Sequence, residues 1–220
     1  MSQGYKIDLH THSTASPDGG ISPKQYAHLL SSGALDYIAI TDHDHIDMAK
    51  QLHGEHGDAI IVGQEITTSE GELIGLFLSD RVMPGQTAKA TAKAITKQGG
   101  LVYVPHPFET VRKGISLEAL DSIAPLIDIV EVHNGRAVFQ NKGPKAAVWA
   151  RLHNKPGAAS SDAHGIKGIG SSFTTIAQKP NQKNLATLLE TARILTARPP
   201  LTSLLYPKLN RLRAKLKHKS

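Results

Sequence analysis

The stretch Tyr5-Lys6-Ile7-Asp8-Leu9-His10-Thr11-His12 is a short apolar run that ends in two histidines two residues apart. A strand points residues i and i+2 to one face, so both imidazoles can meet one ion. The same design returns further along. Tyr37-Ile38-Ala39-Ile40 closes on Thr41-Asp42-His43-Asp44-His45, Val62-Gly63-Gln64 on Glu65, Val102-Tyr103-Val104-Pro105 on His106, and Ala158-Ala159-Ser160-Ser161 on Asp162-Ala163-His164. Each cluster ends an expected strand, and strand ends are where α/β sheets and barrels gather their active sites.

Stretches of helical period separate the strands, the pattern of β-α units around a sheet or barrel. The runs predict strands near 5–9, 37–40, 59–63, 73–78, 101–104, 127–132, 157–160 and 173–176. Helices are expected at about 22–32, 46–53, 86–98, 116–123, 143–153 and 182–191. Ser22-Pro23 reads as a cap and first turn, and Gly33 and Gly99 as helix ends. With 220 residues, 40% hydrophobic and 20% charged, the chain can bury one ample core and is neither disordered nor fibrous.

The absence of cysteine excludes a disulfide scaffold, a thiolate zinc finger, an iron–sulfur site and a cysteine nucleophile. No apolar run approaches a membrane span, and the start MSQGYKIDLH lacks the features of a signal peptide, so a cytoplasmic location is expected. The net charge of +6 is unevenly placed. Lys208, Arg211, Arg213, Lys215, Lys217 and Lys219 sit in residues 206–220 with no acid, and without them basic and acidic residues balance.

Composition breaks at Arg198-Pro199-Pro200, which divides the chain into a barrel over 1–200 and a basic helical tail over 201–220. In the tail, Leu204, Leu205, Leu209, Leu212 and Leu216 recur at near-helical spacing. Two readings follow. Either the leucines dock on the barrel and leave a solvated basic face, or the helix makes weak contact with nucleic acid or an anionic membrane.

Asp18, His10, His12, His43, Glu65, His106, Asp162 and His164 offer eight candidate donors, too many for one tetrahedral ion. Two to three divalent ions suit the count, and mixed imidazole and carboxylate suits manganese, zinc or iron. Such a centre favours hydrolysis of a phosphate ester by metal-activated hydroxide, with the ions clamping the attacking and leaving oxygens.

The ordered set Asp8-Leu-His10-Thr-His12-Ser, Ile40-Thr-Asp42-His43-Asp44, Gly63-Gln-Glu65-Ile, Val104-Pro-His106-Pro and Ser161-Asp162-Ala-His164 resembles the motifs of the polymerase and histidinol phosphatase (PHP) superfamily over about residues 5–200. The resemblance implies a single-domain, distorted (β/α)7 barrel with a trinuclear metal centre, acting on phosphomonoesters or phosphodiesters. It makes His10 and His12 the opening metal pair and Asp18 a loop ligand. His43, Glu65, His106, Asp162 and His164 become the later ligands, with Glu65 bridging two ions. One departure matters. Many members place a histidine shortly after the bridging glutamate, where this chain has Gly71-Glu72-Leu73, so Glu72 is the candidate substitute. His133 is a weaker candidate, beside Glu131 and Asn134.

Arg136, Arg112 and Lys113 are cations placed to reach the phosphate of a small phosphorylated substrate, with Asn134 and His45 as further contacts. His45 and Asp44 also read as groups that orient ligands, and Asp8 and Asp42 invite that reading or a purely structural one. Glu65 and His164 are the residues assigned to the chemistry, the leaving-group proton coming either from His164 or from a metal-bound water. Gly165-Ile166-Lys167-Gly168-Ile169-Gly170 reads as a tight loop that lets backbone approach the metals. Two rival functions stand beside the phosphoesterase. One is amidohydrolase-type C–N hydrolysis, which also opens with His-x-His but commonly uses a bridging carbamylated lysine. The other is a barrel without turnover, binding through its basic tail.

Overall fold

Local chemistry sets the helix ends much as the sequence suggests. Ser22 Oγ accepts from the Gln25 backbone N–H and Gln25 Oε1 from that of Ser22, a capping box with Pro23 in the first turn of α1 (Pro23–Ser31). Gly33 and Gly99 follow α1 and α3 (Ala88–Lys97) with φ of +67° and +80°, the left-handed conformation a helix exit favours. The computed structural model describes residues 4–137 and 140–217, so Lys219 and the rest of the extreme C-terminus lie outside the described residues.

Nine strands form one sheet in the order β7-β6-β5-β4-β3-β2-β1-β8-β9. They are β1 (Tyr5–Thr11), β2 (Tyr37–Ile40), β3 (Ile60–Thr68), β4 (Gly71–Leu76), β5 (Leu101–Val104), β6 (Ile129–Asn134), β7 (Gly157–Ser160), β8 (Ser172–Ile176) and β9 (Arg193–Thr196). β1, β2 and β3 pair in parallel, as do β5, β6 and β7. β4 runs antiparallel to both β3 and β5. The sheet curls until β7 meets β1: the His12 N–H donates to Ala163 O at 2.9 Å and the Ser161 N–H to Asp8 Oδ1 at 3.1 Å. The result is a nearly closed seven-strand wall, with β8 and β9 continuing outward from β1.

The helices α2 (Asp47–His56), α4 (Leu117–Ser122), α5 (Gly143–Leu152) and α6 (Leu185–Glu190) follow β2, β5, β6 and β8. The sequence places no helix between the third and fourth strands, and none is there: a tight hairpin joins β3 directly to β4. β9 was not expected; it is short and exposed, and carries no buried pattern for a sequence reading to find.

Strand alternation splits the core. Ile38, Ile40, Ile60, Val62, Val102, Val104 and Val130 pack outward with Leu52, Ile95 and Trp149 of the helices, and Ile7, Leu9, Ala39, Ile61, Tyr103 and Ile129 pack inward. The inward row turns polar at the C-terminal ends of the strands. In β1 the register against β2 shifts between Asp8 and Thr11, and this extra residue keeps Leu9 in the inner cluster while His10 still faces Glu131 across the barrel. Thr11 meanwhile bonds outward to Tyr26 of α1.

Candidate metal centre

Glu65 is the hub. Its Oε2 lies 3.3 Å from His10 Nε2, 3.2 Å from His12 Nε2 and 3.3 Å from His43 Nδ1, and its Oε1 lies 3.1 Å from His106 Nε2. Asp162 Oδ1 stands 3.6, 3.5 and 3.4 Å from nitrogens of His10, His12 and His164. Asp18 Oδ1 stands 3.7 Å from His43 Nε2 and 3.5 Å from His164 Nε2. Glu72 faces His43 Nδ1 at 3.8 Å and His106 Nε2 at 4.0 Å. All nine side chains named as ligands from the sequence therefore meet, in four overlapping groups: His12–Asp18–His43–His164, His10–His106–Asp162, His10–His12–Glu65 and His43–Glu65–Glu72.

The donor set fits divalent cations. Donors about 2.1 Å from one tetrahedral ion lie about 3.4 Å apart, and the separations above cluster around that figure. All but His43 are buried, and two imidazole nitrogens, His10 Nε2 and His12 Nε2, face each other at 3.1 Å. Burial works against charge on His12, but Asp162 and Glu65 outweigh it and raise its pKa to about 9 in the metal-free protein. Burial, His12 and Arg136 push His164 down to about 3, leaving a neutral ring with a lone pair to offer. Burial and then the Glu65 charge raise Glu72 to about 8. These opposed shifts mark a site whose electrostatics a cation would rebalance.

The surrounding shell aims the donors. Glu131, fully buried, takes His10 Nδ1 at 3.2 Å, the His106 N–H at 2.6 Å, the Tyr103 hydroxyl at 3.1 Å and Asn134 Nδ2 at 2.8 Å. Asp42 accepts the N–H and hydroxyl of Ser13, tying the β1 and β2 ends together. Asp8, raised to about 7 by burial, accepts from His10 and Ser161. Asp44 Oδ1 caps the Thr67 N–H. His106 and Asp162 hold φ of +27° and +51°, strain of order 1–3 kcal/mol each for side chains locked at a functional site.

The expected substrate contacts divide. Arg112, Lys113 and Arg136 line a cavity of about 900 Å³ over the cluster. Arg112 is already committed: it donates to Asp162 Oδ2 at 2.5 Å, to Asn134 Oδ1 at 2.6 Å and to Glu109 at 2.8 and 2.5 Å. Arg136 Nη1 lies 3.4 Å from Asp162 Oδ1. Asn134 is buried within this network. His45 is exposed and is not among the cavity-lining residues, and His133 joins none of the donor groups.

Sequence reading missed Glu109 and named Glu131 only as a neighbour of His133. The phase of β6, with Ile129 inward, could have flagged Glu131. The tail forms helix α7 (Tyr206–Lys217), and Leu205, Leu209, Leu212 and Leu216 are exposed, so the docking of leucines on the barrel does not occur. Polar residues dock instead. Asn210 Nδ2 donates to the carbonyls of Asp18 at 2.9 Å and His164 at 3.0 Å, and Arg211 Nη2 to Asp18 Oδ2 at 2.5 Å. Lys208, Arg211, Leu212 and Lys215 thereby form one wall of the cavity.

Fold and site together define an α/β barrel with a buried cluster of candidate metal donors at the C-terminal side of its strands. A family model described as PHP-associated matches residues 143–193. An uncharacterized protein of Methanocaldococcus jannaschii is 35% identical over 143 residues, 59% of this chain and 81% of that protein. A 5'-3' exoribonuclease of Haemophilus influenzae is 33% identical over 61% of this chain and 51% of its own length. Among solved structures, a Bifidobacterium adolescentis protein assigned as a metal-dependent phosphoesterase superposes with a TM-score of 0.57, 17% identity and coverage of 75% and 89%. An amidohydrolase from Chromobacterium violaceum does so with 0.57, 16%, 91% and 96%. At these identities the structures speak for the fold. The ordered motifs of the chain and the PHP-associated match over residues 143–193 liken it to the PHP superfamily.

Proposed function

We propose that the protein is a metal-dependent phosphoesterase acting on a small phosphorylated molecule. The observation that carries this reading is the cavity lined by seven of the nine convergent donors, with His10 and His12 in contact with Glu65 and Asp162, beside Arg136 and Lys113. His10, His12 and Asp162 would hold one ion, His106 and Glu72 a second, and Asp18, His43 and His164 a third, with Glu65 shared between ions. When bound, manganese, zinc or iron supplies Lewis acidity and activates water at neutral pH.

The chain's own groups do the rest. Glu131 and Asn134 fix His10, His106 and Asp162 so that no reorganisation is needed on binding. Arg136 and Lys113 draw the phosphate dianion into the cavity and orient it. The neutral ring of His164 suits a ligand better than a proton donor. Glu65, a carboxylate held ionised by His10 and His43 despite burial, would be the group shared between ions.

The test is turnover of p-nitrophenyl phosphate and bis(p-nitrophenyl) phosphate by the manganese-reconstituted protein, with Asp162→Ala as control. Asp162-dependent release of nitrophenol is expected. Hydrolysis of amide or lactone substrates with none of phosphoesters would replace the reading by the C–N one.

A further inference from the structure

The cavity carries more positive charge than one phosphate needs. Six cations, Arg112, Lys113, Arg136, Lys208, Arg211 and Lys215, line it against five carboxylates, before any divalent ion is added. Arg112 and Arg136 pair with Asp162, and Arg211 pairs with Asp18. The three lysines form no salt bridge among the described residues. Lys113 belongs to the barrel mouth. Lys208 and Lys215 come from α7, at positions one turn to either side of Arg211, so the three share one helix face spanning about 10 Å.

That face is held in place by a fitted contact. A Cβ on Gly20 would lie 2.7 Å from Asn210 Nδ2, and one on Gly165 2.7 Å from the Tyr206 ring, so both loops need glycine for the helix to approach. Asn210 then bonds the carbonyls of Asp18 and His164. The helix is thus registered against the loops that carry Asp18 and His164, with Lys208 and Lys215 lining the cavity beside Leu212 and with Leu209 and Leu216 exposed outside it.

We propose that Lys208 and Lys215 of α7 form a second anion subsite, so that the preferred substrate carries two separated phosphate groups, one at the metal centre and one against the helix. This rests on the phosphoesterase reading for the first group only. A second phosphate adds a charge of about −2, which two lysines without carboxylate partners would otherwise leave uncompensated in the cavity.

The experiment measures binding, which does not depend on turnover. Alkane-α,ω-bisphosphonates of three to six carbons and propylphosphonate are titrated calorimetrically into the manganese-loaded full chain, its Lys208→Ala/Lys215→Ala variant, and Arg213→Ala, which lies on the other face of α7. At least one bisphosphonate should bind tenfold or more tighter than propylphosphonate to the parent and to Arg213→Ala. The double variant should lose that advantage and keep its affinity for propylphosphonate. Equal binding of mono- and bisphosphonates by the parent overturns the subsite, as does an advantage that survives in the double variant or an equal loss on both ligands. Failure of the phosphoesterase reading appears separately, as absent turnover of the nitrophenyl esters.

Discussion

Asp162 and Asp18 solve the same problem from the two sides of the His164 ring. Each buried carboxylate turns Oδ1 to the imidazoles and gives Oδ2 to an arginine at 2.5 Å. The arginines differ. Arg112 is 15% exposed, forked onto Glu109 and tied to Asn134, all within the barrel loops. Arg211 is 62% exposed and arrives on a terminal helix 193 residues away in sequence. Removing one partner from a buried network leaves a charge without compensation, whereas an exposed ion pair contributes about 0–1 kcal/mol. One arm of the centre is therefore preorganised by the barrel, and the other is adjustable.

Substitutions can break this comparison. Asp162→Ala should have the largest effect, abolishing esterase activity and removing at least one equivalent of metal by elemental analysis, with the fold retained in circular dichroism. Arg112→Ala strands both Asp162 and Glu109; it should cost about 3–5 kcal/mol in denaturant unfolding and lower metal affinity about 10–100-fold. Arg211→Ala should cost under about 1 kcal/mol and change metal affinity less than Arg112→Ala does. Equal losses from the two arginine variants would refute the distinction between the arms.

Acidity sharpens it. In the metal-free protein the His12 pKa is raised to about 9 by Asp162 and Glu65 against its burial, so metal must displace a proton. Manganese affinity should rise with pH up to about 9, by up to about tenfold per unit for the one proton. The sign for stability is opposite. The favourable His12⁺ interactions are fully present below the unfolded value near 6.5 and fade as pH rises through about 9, so the metal-free protein should melt at lower temperature at pH 10 than at pH 7. A flat affinity profile between pH 6.5 and 8.5 would show that His12 is already neutral before metal binds.

The strands ending in His10, His43, Glu65, His106 and Asp162 were legible because β-branched runs and pairwise ligand spacing are local properties. The helix caps at Ser22 and Gly33 were legible for the same reason. β9 escaped because an exposed edge strand buries no pattern. Glu72, placed by analogy with a missing histidine, does reach His43 and His106.

By itself, then, the sequence determined the alternation of strands and helices, eight of the nine candidate donors and the neutral body with its basic tail, since each follows from residue type and short-range spacing; Glu72 came from the family resemblance alone. Only the tertiary structure decided which donors lie together, that Glu131 and Glu109 stand behind them, and that α7 presents Lys208, Arg211 and Lys215 to the cavity. Those outcomes depend on a register shift in β1, on closure of β7 against β1, and on two glycines that let a helix approach. They are contacts between residues from about 30 to about 190 positions apart, for which local sequence carries no signal.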